Sequence, residues 1–169
     1  MSLSESLLAE FDQEMASTRK TLERVPEDKF SWKPHEKSSS MIWLAGHLSN
    51  IPEWAVHTIK HESFDMAPDG KQFEPPPPPK NRKELLDQFD KGVREARAAL
   101  AAAGDADLQK TWSFLNHGVT MFSMPRIACL RTWVMNHLIH HRAQLGVYLR
   151  LNDIPVPAVY GPSADEKGM

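Results

Sequence analysis

A single cysteine, Cys129, stands in the 169 residues, so no disulfide can form within the chain, and a reducing compartment is the natural expectation. Flanked by Ile127 and Leu130, that cysteine reads as a small core residue rather than a catalytic thiol. No apolar run approaches the ~20 residues that span a bilayer, and the opening MSLSESLLAEFDQE is acidic where a secretory leader would be basic. The chain is expected in the cytoplasm, with no membrane partner. Charge of one sign is lacking too: 20 Lys and Arg against 22 Asp and Glu leave a formal −2. The basic residues are scattered, which argues against nucleic acid as a partner.

The length suits one domain over residues 1–169, with a core of its own. Residues 3 to 25 carry Leu7, Leu8, Phe11, Met15, Thr18 and Leu22 at helical spacing behind a Ser2/Glu5 capping box, and Val25-Pro26 ends the run. Residues 26 to 39 read as a connection whose Phe30 and Trp32 tuck onto the core. A second helix is expected from about 40 to 62, capped by a serine of the 38 to 40 run, with Ile42, Ala45, Leu48, Ile51, Ala55 and Ile59 as its stripe. Pro52 inside it predicts a kink near Leu48 or a helix divided in two. Residues 63 to 80, ending in Pro75 to Pro79, read as an extended spacer rather than a docking segment.

A third helix starts at Asn81, with Glu84 three residues on, and stops before Gly104. The alternating, aromatic-rich stretch 109 to 123 around Asn116-His117-Gly118 reads as a short hairpin. Pro125 is placed as the first residue of a long fourth helix reaching about Leu151, with Ile127, Leu130, Val134, Leu138, Leu145 and Tyr148 toward the core. The fold class is therefore all-α, a four-helix bundle with long connections and a short hairpin before the last helix.

Eight histidines are present. His35 and His117 fall in connections, and His57 and His61 near a helix end, where the dipole favours a cation. In NHLIHHRAQL, His137 and His141 stand four apart in mid-helix and so share a face, letting two imidazoles reach one ion. His140, three from His137, is a rival second ligand that spacing leaves open. His47, in the apolar context IWLAGHLSNI, is the natural third ligand, since an unpaired imidazole would be costly to bury there. Bundle metal sites are built by such convergence of facing helices. Three neutral imidazoles suit zinc, nickel, iron(II) or copper, and leave a coordination position open.

The segments WKPHEKSSSMIWLAGHL, the tryptophan of PEW, and NHLIHHRAQLGVYLRLNDIPVPAVYGPSADE together resemble the DinB-like (YfiT-like) superfamily of metal-dependent proteins. The resemblance spans nearly the whole chain. It implies a four-helix bundle, often dimeric, holding one divalent metal on one histidine of the second helix and two of the fourth. Carried over by position, the ligands are His47, His137 and His141, with His140 outside the set. The resemblance further implies one zinc or nickel ion, with iron or manganese as alternatives, and a homodimer. It implies a small-molecule substrate with a low-molecular-weight thiol as a possible co-substrate, in an S-transferase-like or hydrolase-like reaction. Both chemistries use the open position, where an ion polarises a ligand or acidifies a bound water or thiol. The rival reading is a non-catalytic, metal-stabilised bundle acting as a binding or dimerisation module. Candidate acid, base or orienting groups are Glu53, re-aimed by the Pro52 kink, and Asn136 and Arg142 beside the ligands. Trp43 and Trp133, each four residues before a ligand, share its helix face.

Overall fold

The computed structural model of the chain describes residues 2–167. Local capping chemistry places the first helices. Ser2 Oγ accepts from the Glu5 N–H (3.2 Å) while Glu5 Oε2 accepts from the Ser2 N–H (2.7 Å), and α1 runs Leu3–Glu23 behind this reciprocal pair. Ser40 Oγ accepts from the Trp43 N–H (3.3 Å) at the head of α2, Met41–Lys60. Asn81 Oδ1 accepts from the Glu84 N–H (2.8 Å) at the head of α3, Arg82–Ala102. Each cap satisfies a donor that the first helical turn leaves orphaned.

Of the two outcomes expected at Pro52, the division does not occur: α2 is one helix through it. Pro52 is buried, and its ring lies against Gly92 of α3, where an added Cβ would stand 3.4 Å from Pro52 Cβ. A glycine at 92 lets α3 approach this turn of α2 closely. The extended connection also docks more tightly than a free spacer. Pro79 is buried on Gly46, whose hypothetical Cβ would come within 3.0 Å of Pro79 Cδ, so the strap is seated beside His47.

After α3 a short helix α4, Asp105–Leu108, leads into a hairpin of β2, Thr111–Asn116, and β3, Val119–Pro125. Its two-residue turn has His117 at φ 52° and Gly118 at φ 72°, the left-handed pair that matches the twist of a tight hairpin. The hairpin is as expected, but a third strand is not. β1, Ser63–Asp65, pairs parallel with β2, with Phe64 opposite Phe114. The all-α expectation is therefore corrected to a mostly helical fold with a small three-stranded sheet, in the order β1-β2-β3. The polyproline run concealed β1, which is too short to show a period-2 pattern. Asp65 ties it in place, its carboxylate accepting from the Ala67 and Gly118 N–H groups at 2.8 Å each.

The last helical stretch also departs from expectation. Pro125 ends β3, and helix α5 begins one residue later, Arg126–Cys129. A π-helical segment, Leu130–Asn136, follows and passes into α6, His137–Arg150. The wider turn brings Leu130, Val134 and Met135 all into the core.

One cluster of buried side chains joins these helices, among them Leu7, Phe11 and Leu22 of α1, Leu48 and Ile51 of α2, Leu85 and Phe89 of α3, and Leu138 and Leu145 of α6. Phe30 and Trp32 pack against it as expected. α2 lies against both α3 and α6, and α1 against the same two. Among the described residues no helix is long and apolar enough to cross a membrane.

Candidate metal centre

α2 packs against α6, and that contact brings three imidazoles together: His47 from the first half of α2, and His137 and His141 from the first two turns of α6. His47 Nε2 lies 3.1 Å from His137 Nε2, which in turn lies 2.8 Å from His141 Nε2. One ring nitrogen from each residue falls within 4.8 Å of the other two, an arrangement that could hold a metal ion. Three nitrogens at about 2.0–2.1 Å from one ion stand about 2.9 Å apart for right-angle coordination and about 3.3 Å for tetrahedral. The two measured separations, 3.1 and 2.8 Å, lie close to those values.

Electrostatics favours the ligand form. Burial first, and then the neighbouring His141 and His137, push His47 down to about 4. Burial and the adjacent His141 and His140 push His137 down to about 4, against a hydrogen bond to the Trp133 backbone. His141 is lowered as well, chiefly by burial, with its bond to Gln144 acting the other way. Neutral imidazoles are what a metal requires, because a protonated ring has no lone pair to give.

Tryptophans border the triad. Trp43 stacks on His47, centroids 5.2 Å apart and planes 11° apart, and is 47% exposed. Trp54 meets His47 and His137 edge-on at 5.4 and 5.2 Å. Trp133 stands 6.2 Å from His137 and is 43% exposed. The small sheet buttresses Trp133, which stacks on Phe122 at 5.3 Å and on Phe114 at 6.3 Å. Sequence reasoning placed Trp43 and Trp133 on the ligands' faces but assigned no wall position to Trp54. Its signal is the seven-residue spacing from His47, two helical turns on one face. Gln144 was missed too: its Oε1 lies 2.7 Å from His141 Nδ1, at the i+3 position that shares a helix face.

His140 is exposed, its ring 4.9 Å from that of His141 and outside the cluster. Glu53 and Asn136 are exposed on α2 and at the end of the π segment, and the hydrogen bonds of the three rings go elsewhere. Arg142 turns toward α1. Its Nη1 donates to Glu14 Oε2 at 2.7 Å, and its Nη2 donates to the Tyr160 hydroxyl at 2.6 Å, with the Arg142 and Glu14 side chains only 5% and 6% exposed. That guanidinium is committed to holding the C-terminal tail on α1, at a distance in role from the imidazoles. His57 and His61 lie exposed at the end of α2, rings 5.3 Å apart. Cys129 is buried with Sγ 3.6 Å from Thr58 Oγ1, and burial pushes its thiol up, which fits a core position.

No curated protein matches the chain significantly. Solved structures share its fold, among them two from Bacillus species. A DinB-like protein from Bacillus cereus superposes with a TM-score of 0.69 at 24% identity, covering 92% of this chain and 97% of that one. A DinB-like protein from Bacillus subtilis gives 0.67 at 21% identity, covering 91% and 97% respectively. With residues 10–145, well over half its length, matching the family model of the DinB superfamily, this chain belongs to that superfamily.

Proposed function

We propose that the protein is a metal-dependent enzyme acting on a small molecule, with His47, His137 and His141 holding one divalent ion. The observation that carries this reading is the meeting of three Nε2 atoms from two helices on one point, on a half-buried face bordered by exposed tryptophans. A structural metal site is normally closed by a fourth protein ligand, whereas three ligands leave room for another. Among the described residues the cluster contains no fourth His, Cys, Asp or Glu. A bound ion, zinc or nickel by the donor set, supplies Lewis acidity and an open position for a small ligand such as a low-molecular-weight thiol. The chain's own contribution is orientation and exclusion. Trp43 and Trp54 restrict the His47 ring, Trp133 and Trp54 restrict His137, and the exposed faces of Trp43 and Trp133 offer apolar surface to a substrate's carbon skeleton. Transfer of a thiol to a small electrophile and hydrolysis of a small ester or amide are the two reaction types that use this arrangement. Glu53, six residues after His47, and Asn136, next to His137 in the chain, are the polar groups proposed to assist, within a homodimeric assembly.

The test is to load the purified protein with zinc or nickel and measure metal content by mass spectrometry. The rates of chloride displacement from 1-chloro-2,4-dinitrobenzene by a thiol and of p-nitrophenyl acetate hydrolysis are then followed with and without chelator. One of the two rates should depend on metal and be lost in His137→Ala. Rates indifferent to both treatments would remove the enzymatic reading.

A second reading is favoured by the ligands' origin on two different helices: an ion there would staple α2 to α6 without catalysis. Chelation would then lower the melting temperature strongly, and the bound metal would carry no exchangeable water.

A further inference from the structure

We infer that Gln144 is a positioning residue for the metal centre: its Oε1 accepts the His141 Nδ1 proton and so keeps the His141 Nε2 lone pair on the point shared with His47 and His137. The inference rests on the metal-site reading above.

The three rings are not held alike. His47 is stacked by Trp43 and flanked by Trp54, and His137 is flanked by Trp54 and Trp133. His141 has no tryptophan partner among the described residues. Its ring contacts are the other two rings of the cluster and exposed His140. Packing therefore leaves His141 the freest of the three to rotate or to change tautomer. An amide oxygen can only accept, so the 2.7 Å contact puts the proton on Nδ1 and the lone pair on Nε2, the atom 2.8 Å from His137 Nε2. A ligand histidine whose other nitrogen donates to a fixed acceptor is the usual way a protein sets both tautomer and ring angle.

Gln144 is exposed, so in the metal-free protein this bond competes with water and adds little to fold stability. A divalent ion on Nε2 would draw charge from the ring and make Nδ1–H a stronger donor, turning the contact into a charge-assisted bond. The contribution of Gln144 should consequently appear in metal affinity and not in the melting temperature of the apo protein. That separation distinguishes a positioning role from ordinary helix-surface packing.

The experiment measures Zn²⁺ affinity of the full chain by competition with a chromophoric chelator, and the visible spectrum of the Co²⁺ form, for wild type, Gln144→Met, Gln144→Glu and His137→Ala. Methionine keeps the length and helix propensity of glutamine but removes the acceptor; glutamate restores an acceptor. Gln144→Met should weaken Zn²⁺ binding about 10- to 100-fold and shift the Co²⁺ bands, with an apo melting temperature like wild type. Gln144→Glu should return affinity to within a few-fold of wild type or better it. Affinity of Gln144→Met within twofold of wild type, or equal losses in both Gln144 variants, would overturn the inference while leaving the metal site standing if His137→Ala still abolishes binding. Wild type and His137→Ala binding Zn²⁺ equally would instead remove the metal-site reading and this inference with it.

Discussion

His47 and His137, ninety residues apart in the chain, face each other Nε2 to Nε2 at 3.1 Å. Two imidazole nitrogens at that distance cannot both present bare lone pairs; they must share a proton or a cation. His141 Nε2, 2.8 Å from His137 Nε2, adds a third nitrogen to the same point, and a multivalent cation satisfies all three where one proton cannot.

Replacing His47, His137 or His141 with Ala should therefore each abolish tight metal uptake, measured as metal retained after dialysis. His140→Ala should spare most of it, since His140 is exposed outside the cluster. Loss in His140→Ala together with retention in His141→Ala would mean the pair on the C-terminal helix has been misassigned.

The metal-free protein should lose stability on acidification. His47 and His137 are pushed from 6.5 to about 4 in the folded chain. Between those values the unfolded chain binds more protons, so stability present above about pH 6.5 falls as the pH drops toward 4. Urea midpoints of the apo protein at pH 7.5 and 4.5 report the slope, which should flatten in the His47→Ala/His137→Ala double variant. Equal slopes would show that these two rings do not titrate as described. The metal-loaded protein should in addition release its ion on acidification, because protons and metal compete for the same lone pairs.

Glu14 and Arg142 form a buried ion pair, completed by the Tyr160 hydroxyl, which donates to Glu14 Oε2 at 2.8 Å. Glu14→Ala should cost about 3–5 kcal/mol, since it leaves the guanidinium buried without its counter-charge. Replacing both partners by apolar residues, Glu14→Leu with Arg142→Met, should recover much of that loss. Denaturant melts check both, and Zn²⁺ affinity should change little in either. A large loss of affinity in the stable double variant would assign Arg142 to the metal centre after all.

Gly46→Ala should unseat the proline strap, because the new Cβ would stand 3.0 Å from the rigid ring of Pro79. Better helix propensity offsets part of the strain, leaving a net destabilisation of about 1 kcal/mol. Tryptic cleavage after Lys71, in the exposed part of the strap, should accelerate. An unchanged cleavage rate would show that the strap accommodates the methyl group.

Much of the helical framework was legible because its determinants are local. Ser2/Glu5, Ser40 and Asn81/Glu84 announce helix starts through hydrogen bonds within one turn, and Leu7, Phe11, Leu48, Leu85 and Leu138 reveal buried faces through periodicity. The Asn116–Val119 turn was legible for the same reason: His117-Gly118 suits left-handed backbone. Strand β1 was not, since Ser63–Asp65 becomes a strand only by pairing with β2 some fifty residues on. Nor was the packing of Gly92 on Pro52, which brings together residues of two helices forty positions apart.

The same division runs through the candidate metal centre. Local spacing put His137, His141 and the rival His140 on one helix in sequence, because a 3.6-residue repeat dictates which side chains share a face. What spacing left open, tertiary packing decided. The π-helical segment before His137 and the contact of α2 with α6 turn His141 inward and leave His140 in solvent. The contact of α2 with α6 delivers His47 from ninety residues away and brings Trp54 with it, while α1 offers Glu14 to Arg142 and draws that side chain away from the three rings. Distances between helices are set by the fit of whole faces, and no single stretch of sequence contains both sides of that fit.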